Sequence, residues 1–116
     1  ARLSPMRQIM YLDDDDWTRL FAATRATLTE WTNRLRARTS GKFPEKVTAF
    51  HPEMAVHGKY KEPCPDCGRP VQRIRYAANE CNYCAQCQNQ GNLLGDRGMS
   101  RLLKNDWPKT LEELDV

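Results

Sequence analysis

With 116 residues, the chain is long enough for one compact domain and an appendage. Apolar residues make up 40% and charged residues 28% of it, and no apolar run approaches the length of a membrane span, so we do not expect an integral membrane protein. The formal net charge of +3 permits nucleic-acid binding without requiring it.

The first segment, residues 1–41, is predicted to be helical. Asp13 to Asp16 are predicted to start a helix, because carboxylates accept hydrogen bonds from the free N–H groups there. A carboxylate metal site is the weaker alternative. An i, i+3, i+4, i+7 pattern then indicates an amphipathic helix that ends near Gly41. We expect its apolar stripe to be core: Trp17, Leu20, Phe21, Thr24, Leu28, Trp31 and Leu35.

Residues 42–58 are predicted to be an irregular linker, since proline and glycine interrupt every periodic pattern in them. We interpret His51 and His57 as non-ligands. Basic side chains cluster within residues 34–46 and within residues 57–75, and we expect them to face nucleic acid rather than to be an ordinary solvated surface. They are Arg34, Arg36, Arg38, Lys42 and Lys46, and then Lys59, Lys61, Arg69, Arg73 and Arg75.

Residues 59–91 contain two CxxC pairs, Cys64/Cys67 and Cys84/Cys87. Two tight turns that each present two sulfurs suit one tetrahedral, structural Zn²⁺ ion. Disulfides are the alternative, but five cysteines are an odd number. A second pairing would use Cys81 with Cys84. We prefer Cys84 with Cys87 and interpret Cys81 as an ordinary thiol.

Between the two pairs, the sequence predicts a β-hairpin. Residues 71–76 alternate with period two, residues 77–80 are predicted to turn, and residues 81–83 to return as the second strand. The alternation places Arg73 and Arg75 on one face and Ile74 and Tyr76 on the other. So short a hairpin has almost no core, so we expect metal binding to supply most of its folding free energy.

Residues 92–116 are predicted to be a helical tail that packs on the helical segment. Apolar residues indicate a short helix, and the pattern from Thr110 to Glu113 is a capping box for a last turn. The apolar residues are Leu93, Leu94, Met99, Leu102 and Leu103. The predicted fold class is therefore mainly α with a small β-hairpin: a helical DNA-binding segment, a Cys₄ β-hairpin zinc finger and a short helical tail.

The finger resembles the C-terminal part of the formamidopyrimidine-DNA glycosylase and endonuclease VIII family. The similar stretches are the lead-in 56–63, the first CxxC turn 64–68, the strand 71–74 and the second turn 83–88. Residues 1–5 and the helix from Asp13 look like the second half of that family's helix–two-turn–helix domain. The end of the chain is similar to the ends of some bacterial members.

The resemblance implies the zinc-dependent DNA-binding part of a base-excision-repair DNA glycosylase and AP lyase. Such a part grips duplex DNA at a damaged base, in the bacterial cytoplasm at the nucleoid. The family's N-terminal domain supplies a proline amine that attacks the sugar, and nothing in this chain matches that domain. We therefore expect no catalytic residue and no catalysis by this chain alone, and we expect the missing domain as a partner.

The residues expected to contact DNA are Lys59, Lys61, Arg73, Arg75 and Asn79. Asn79 stands where family members usually carry an arginine, and an amide lacks the charge-assisted, bidentate contact that arginine makes to phosphate.

Two other functions stay open at this point. The first is a stand-alone zinc-ribbon module for protein–protein interaction. The second is an enzyme that acts through a lysine such as Lys59 or Lys61.

Overall fold

The computed structural model describes residues 1–46, 50–95 and 101–114. Contacts divide the chain into two compact units. The first comprises Ala1 and Arg7–Ala49, and the second comprises Arg2–Met6 and Phe50–Val116. The division predicted from the sequence, 1–41, 42–58, 59–91 and 92–116, stays a prediction.

The first unit is one long helix, α1 (Asp14–Thr39), preceded by a 3₁₀ turn at Ile9–Tyr11. Its start is a capping box: the Asp16 N–H donates to the Asp13 carboxylate at 2.8 Å, and the Asp13 N–H donates to the Asp16 carboxylate at 3.2 Å. The Asp13 N–H, together with the Arg19 guanidinium, lowers the pKa of Asp16. The acidic run thus starts a helix, as predicted.

The C-cap residue of α1 is Ser40, one residue before the predicted glycine. Ser40 adopts the left-handed conformation at φ 49°, and its N–H donates to the Arg36 carbonyl at 3.2 Å. Gly41 follows at φ 78°. The sequence therefore identified the stop region correctly but assigned the cap to the wrong residue, because serine adopts this backbone conformation less readily than glycine.

The apolar stripe of α1 is not core within the part of the chain that the structure describes. Phe21 and Leu28 are each 64% exposed, and Trp17 is 45% exposed. Asp16 is the one buried residue among those of α1. Our expectation of a buried stripe is therefore wrong for these residues, since amphipathic periodicity predicts a face that packs well but not the surface that covers it.

The second unit is built on an antiparallel hairpin of β1 (Gln72–Tyr76) and β2 (Asn79–Tyr83). Its register pairs Ile74 with Cys81 and Tyr76 with Asn79, which leaves a two-residue turn. The predicted turn was longer, because Asn79 and Glu80 were assigned to it. In the structure they extend β2, and Ala77 makes the reversal in the left-handed region at φ 48°.

Helix α2 (Ala85–Asn89) follows β2 directly and ends at Gln90, in the left-handed conformation. The end of the tail pairs with the residues that follow α2. The Leu93 N–H donates to the Lys109 carbonyl at 2.7 Å, and the Leu111 N–H donates to the Gly91 carbonyl at 3.0 Å. The final turn, α3, spans Leu111–Leu114.

The tail departs from its predicted helix. Leu93 and Leu94 are not helical, whereas residues 101–103 are, and a 3₁₀ turn spans Lys104–Asp106. Met99 lies outside the described residues. The Glu113 carboxylate accepts from the Lys109 N–H at 2.7 Å. This bond reaches one residue further back than the predicted capping box.

The second unit has a core that the sequence pattern did not predict. Ile74, Tyr83, Ala85 and Leu111 form one buried cluster. A second cluster contains Cys64, Val71 and Cys84. The tail contributes to this core through Leu111, at 3% exposure. The expected packing of the tail on the helical segment is therefore wrong at this residue, because Leu111 packs on the hairpin and α2.

The described chain is thus mostly helical with a small two-stranded antiparallel sheet, and this part of the predicted fold class is confirmed. Among its described helices, none combines the length and the apolar character needed to cross a membrane.

Candidate metal centre and nucleic-acid interface

The first CxxC turn is held by backbone hydrogen bonds. The Cys64 N–H donates to the Arg69 carbonyl at 2.8 Å, and the Gly68 N–H donates to the Cys64 carbonyl at 2.8 Å. Gly68 adopts φ 76°, a conformation that costs glycine little and other residues more. These hydrogen bonds and the left-handed glycine close the turn and bring the sulfurs of Cys64 and Cys67 together.

The second CxxC turn is the N-terminus of α2. Cys84 is the N-cap residue, and its sulfur accepts from the Cys87 N–H at 3.4 Å. The Gln88 side chain completes the turn: its Oε1 accepts from the Cys84 N–H at 2.8 Å, and its Nε2 donates to the Leu3 carbonyl at 2.9 Å. Gln88 thus joins this turn to the N-terminal segment of the same unit.

The structure brings the four predicted sulfurs to one point. The sulfurs of Cys64, Cys67, Cys84 and Cys87 all lie within 4.8 Å of one another. The distance from Cys64 to Cys87 is 4.0 Å and that from Cys67 to Cys84 is 3.4 Å. A tetrahedral ion with Zn–S bonds of about 2.3 Å keeps its sulfurs roughly 3.8 Å apart. The donor set and its spacing therefore fit one Zn²⁺ ion.

The electrostatics of the four thiols differ. Burial, together with the neighbouring thiols of Cys67 and Cys84, raises the pKa of Cys87 to about 12. Burial also raises the pKa of Cys84. At Cys64 burial acts in the same direction, but the N–H groups of Cys67 and Asp66 outweigh it, so the pKa of that thiol is lowered. Crowded thiolates repel one another, which makes ionisation of the thiols unfavourable. A divalent cation among the four sulfurs would favour the ionised thiolates instead.

Cys81 lies apart from this group of four. It pairs with Ile74 across the hairpin and packs partly buried against the Ile74–Tyr83 cluster. Burial raises the pKa of its thiol. Cys81 therefore has the environment of a small apolar residue rather than of a reactive thiolate.

Two of the predicted DNA contacts lie side by side on β1. Arg73 and Arg75 both reach the Glu80 carboxylate, at 3.6 and 3.5 Å. The Arg73 guanidinium also lies over the Tyr60 ring, 4.0 Å from its centroid. Such stacking holds the guanidinium in place while its N–H groups keep their donor capacity.

The other predicted contacts are more dispersed. The Lys61 ammonium lies 5.5 Å from the Tyr60 ring centroid, so Lys61 and Arg73 flank one aromatic ring. Lys59 instead pairs with Glu62 at 3.5 Å. Asn79 is exposed at the start of β2, beside the hairpin turn.

Sequence reasoning missed Tyr60, Glu80 and Gln88. The alternation Lys59-Tyr60-Lys61 was a usable signal for Tyr60, since aromatic residues between basic ones are typical of nucleic-acid surfaces. Glu80 follows only from the register, which pairs it with Arg75.

Fold and site together define a helical chain with a small β-hairpin unit whose four clustered cysteines suit a divalent metal. Comparison with known proteins identifies the family to which such a chain is similar. The chain is 35% identical over 95 residues to a formamidopyrimidine-DNA glycosylase of Thermus thermophilus. The aligned region covers 78% of this chain and 36% of that protein.

Two solved structures resemble the chain. The MutM (Fpg) protein of Thermus thermophilus matches with a TM-score of 0.56 and 31% identity, over 75% of this chain and 34% of that one. A Lactococcus lactis Fpg mutant in complex with DNA that contains Fapy-dG matches with a TM-score of 0.55 over 76% of this chain and 33% of that one; at 21% identity it shows the fold alone. No protein-family model matches the chain.

The chain belongs to the formamidopyrimidine-DNA glycosylase family, as the resemblance indicated. It spans about a third of the length of the curated relatives it matches.

Proposed function

We propose that this chain is the zinc-dependent, DNA-binding part of a base-excision-repair DNA glycosylase and AP lyase. In this proposal Cys64, Cys67, Cys84 and Cys87 hold one structural Zn²⁺ ion. Residues of the hairpin unit grip duplex DNA at a damaged base, and the catalytic amine comes from a domain outside this chain. The observation that carries the proposal is the cluster of four sulfurs within 4.8 Å, in a chain of this family.

The metal has a structural role in this proposal. Four thiolate ligands fill a tetrahedral Zn²⁺ ion, so no coordination position is left for water or substrate. The sulfurs of Cys64 and Cys84 lie beside Val71 in a small buried cluster. The ion would therefore tie the two CxxC turns together beneath the hairpin and fix the direction in which its strands project.

The DNA-binding surface is the basic side of the hairpin. Arg73, Arg75 and Lys61 lie around Tyr60 and Glu80, with two cations on one carboxylate. Guanidinium groups bind phosphate oxygens in a bidentate manner, so these side chains suit the DNA backbone. The 35% identity to a relative named as a DNA glycosylase supports this choice of ligand. Asn79 at the turn and Lys59 extend the surface.

The proposal is tested by titrating the zinc-loaded chain with a short duplex at several salt concentrations and measuring fluorescence anisotropy. We expect affinity to fall steeply with salt, because each neutralised phosphate releases counterions. Arg75→Ala should weaken binding and reduce the salt slope by about one. Arg25→Ala is the matched control, since Arg25 lies in the middle of α1, where it stacks on Phe21, and should leave both values unchanged.

Metal dependence is tested on the same chain. Native mass spectrometry should show one zinc ion, and removal by a chelator should abolish duplex binding together with the NMR dispersion of the β1 and β2 amides. Tight zinc binding without salt-dependent duplex affinity would instead favour the protein-interaction module. A Cys64→Ala variant that keeps one tightly bound zinc ion would refute the ligand assignment.

A further inference from the structure

A cleft of about 370 Å³ lies within the second unit, between the hairpin and the tail. Tyr60, Gln72 and Tyr83 line it, as do Arg73 and Arg75. Trp107 and neighbouring leucines of the tail also line it. Its volume is in the range of small-ligand sites. The metal cluster lies elsewhere, since none of its four cysteines lines this cleft.

The charged groups of the cleft favour an anion. Arg73 and Arg75 line it, and both pair with the Glu80 carboxylate, at 3.6 and 3.5 Å, so two positive charges face one negative charge. Arg73 also lies over the Tyr60 ring, 4.0 Å from its centroid, and this stacking contact uses none of the guanidinium N–H donors. Two guanidinium groups at one cleft match a phosphate better than they match a neutral group.

The rest of the lining suits a flat, partly polar group. Trp107 offers an aromatic surface on which a base can stack. Tyr83 is buried, and its oxygen accepts from the Leu94 N–H at 2.8 Å. This bond uses the oxygen as an acceptor and leaves the hydroxyl hydrogen as a donor. Gln72 donates to the Pro70 carbonyl through Nε2, which leaves its Oε1 as an acceptor. A donor and an acceptor at one apolar cleft match the edge of a nucleobase.

We propose that this cleft holds a single unstacked nucleotide, with its phosphate on Arg73 and Arg75 and its base against Trp107. The nucleotide is either one displaced from the DNA strand or a free mononucleotide, since both have the same chemistry. The first case rests on the proposed function, because the hairpin must then hold DNA. It assigns a binding role to the tail, for which the sequence predicted packing alone.

The test uses the complete zinc-loaded chain and ¹H–¹⁵N NMR. Deoxyadenosine and thymidine monophosphates are titrated separately, followed by a fully paired duplex and the same duplex with one bulged nucleotide. We expect the bulged duplex to bind about tenfold more tightly than the paired one, the size of one base–aromatic stack. The Trp107 indole N–H signal should shift with the bulged duplex or with the mononucleotides.

Trp107→Leu should reduce the bulged-to-paired ratio to about one. Trp17→Leu is the matched control, since Trp17 lies on α1 and does not line the cleft. Zinc content and amide dispersion check that each variant is folded. If Trp107→Leu does not fold, the NMR shifts of the unchanged protein decide the question.

The outcomes separate the two ligand sources. A Trp107 shift with the bulged duplex alone supports a strand nucleotide, and a shift with mononucleotides alone supports a free one. Salt-dependent duplex binding with equal affinities and no Trp107 shift would overturn this inference and leave the proposed function standing. A Trp107 shift with mononucleotides, without any duplex binding, would support this inference and overturn the proposed function. A Trp107 shift with an acidic peptide but with no nucleotide would also overturn it.

Discussion

Replacing Leu111 by alanine is expected to destabilise the second unit by about 3 kcal/mol. Leu111 is 3% exposed and packs in one cluster with Ile74, Tyr83 and Ala85. Burying a leucine contributes about 1.5–3 kcal/mol, and the cavity left by truncation adds to the loss, for a typical total of about 2–5 kcal/mol. We expect the hairpin itself to lose this stability, since Leu111 of the tail packs against residues of β1 and β2.

The assay is urea unfolding at a fixed excess of zinc, followed through the NMR intensities of the Ile74 and Tyr83 amides. Leu102→Ala is the matched control: it removes the same atoms from a tail residue that is 75% exposed, so we expect a change within about 0.5 kcal/mol. If Leu111→Ala costs no more than Leu102→Ala, the tail does not supply core to the hairpin and the packing argument fails.

Three further predictions concern the cysteine cluster and the turn. Zinc affinity should fall as the pH is lowered, by up to about tenfold per pH unit for each thiol that must ionise. The reason is that protons compete with zinc for sulfurs such as that of Cys87, whose pKa is raised to about 12. A chelator competition that gives the same zinc affinity throughout about pH 6–8 would exclude thiol ligation. Gln88→Ala should speed hydrogen exchange at the Cys84 amide, whose N–H bonds to Gln88 at 2.8 Å, whereas alanine at the exposed Gln86 should not; equal rates would contradict the assigned bond. Ala77→Gly should stabilise the hairpin by about 0.5–1 kcal/mol in the urea assay, since φ 48° strains alanine, and a loss of stability would argue against this turn conformation.

Local chemistry made several features predictable. The aspartates before Trp17 indicated the start of α1, because a capping box needs only residues three positions apart. The alternation around Ile74 indicated a strand with its arginines on the same side, and both arginines do contact Glu80. The spacing of the CxxC pairs predicted that four sulfurs meet, and in the structure they do. Their ligation of zinc stays a proposal.

Other features depend on contacts between distant residues, which periodicity does not contain. The sequence by itself determined the long helix, the hairpin and the two CxxC turns, since each depends on residues within a few positions of one another, and it indicated the family through the residues of these elements. Only the tertiary structure decided that Leu111 packs on Ile74, that Gln88 joins the second turn to Leu3, and that Trp107 faces the same cleft as Arg73. The physical reason is that an apolar face specifies that something must cover it, but the choice of cover depends on the whole chain.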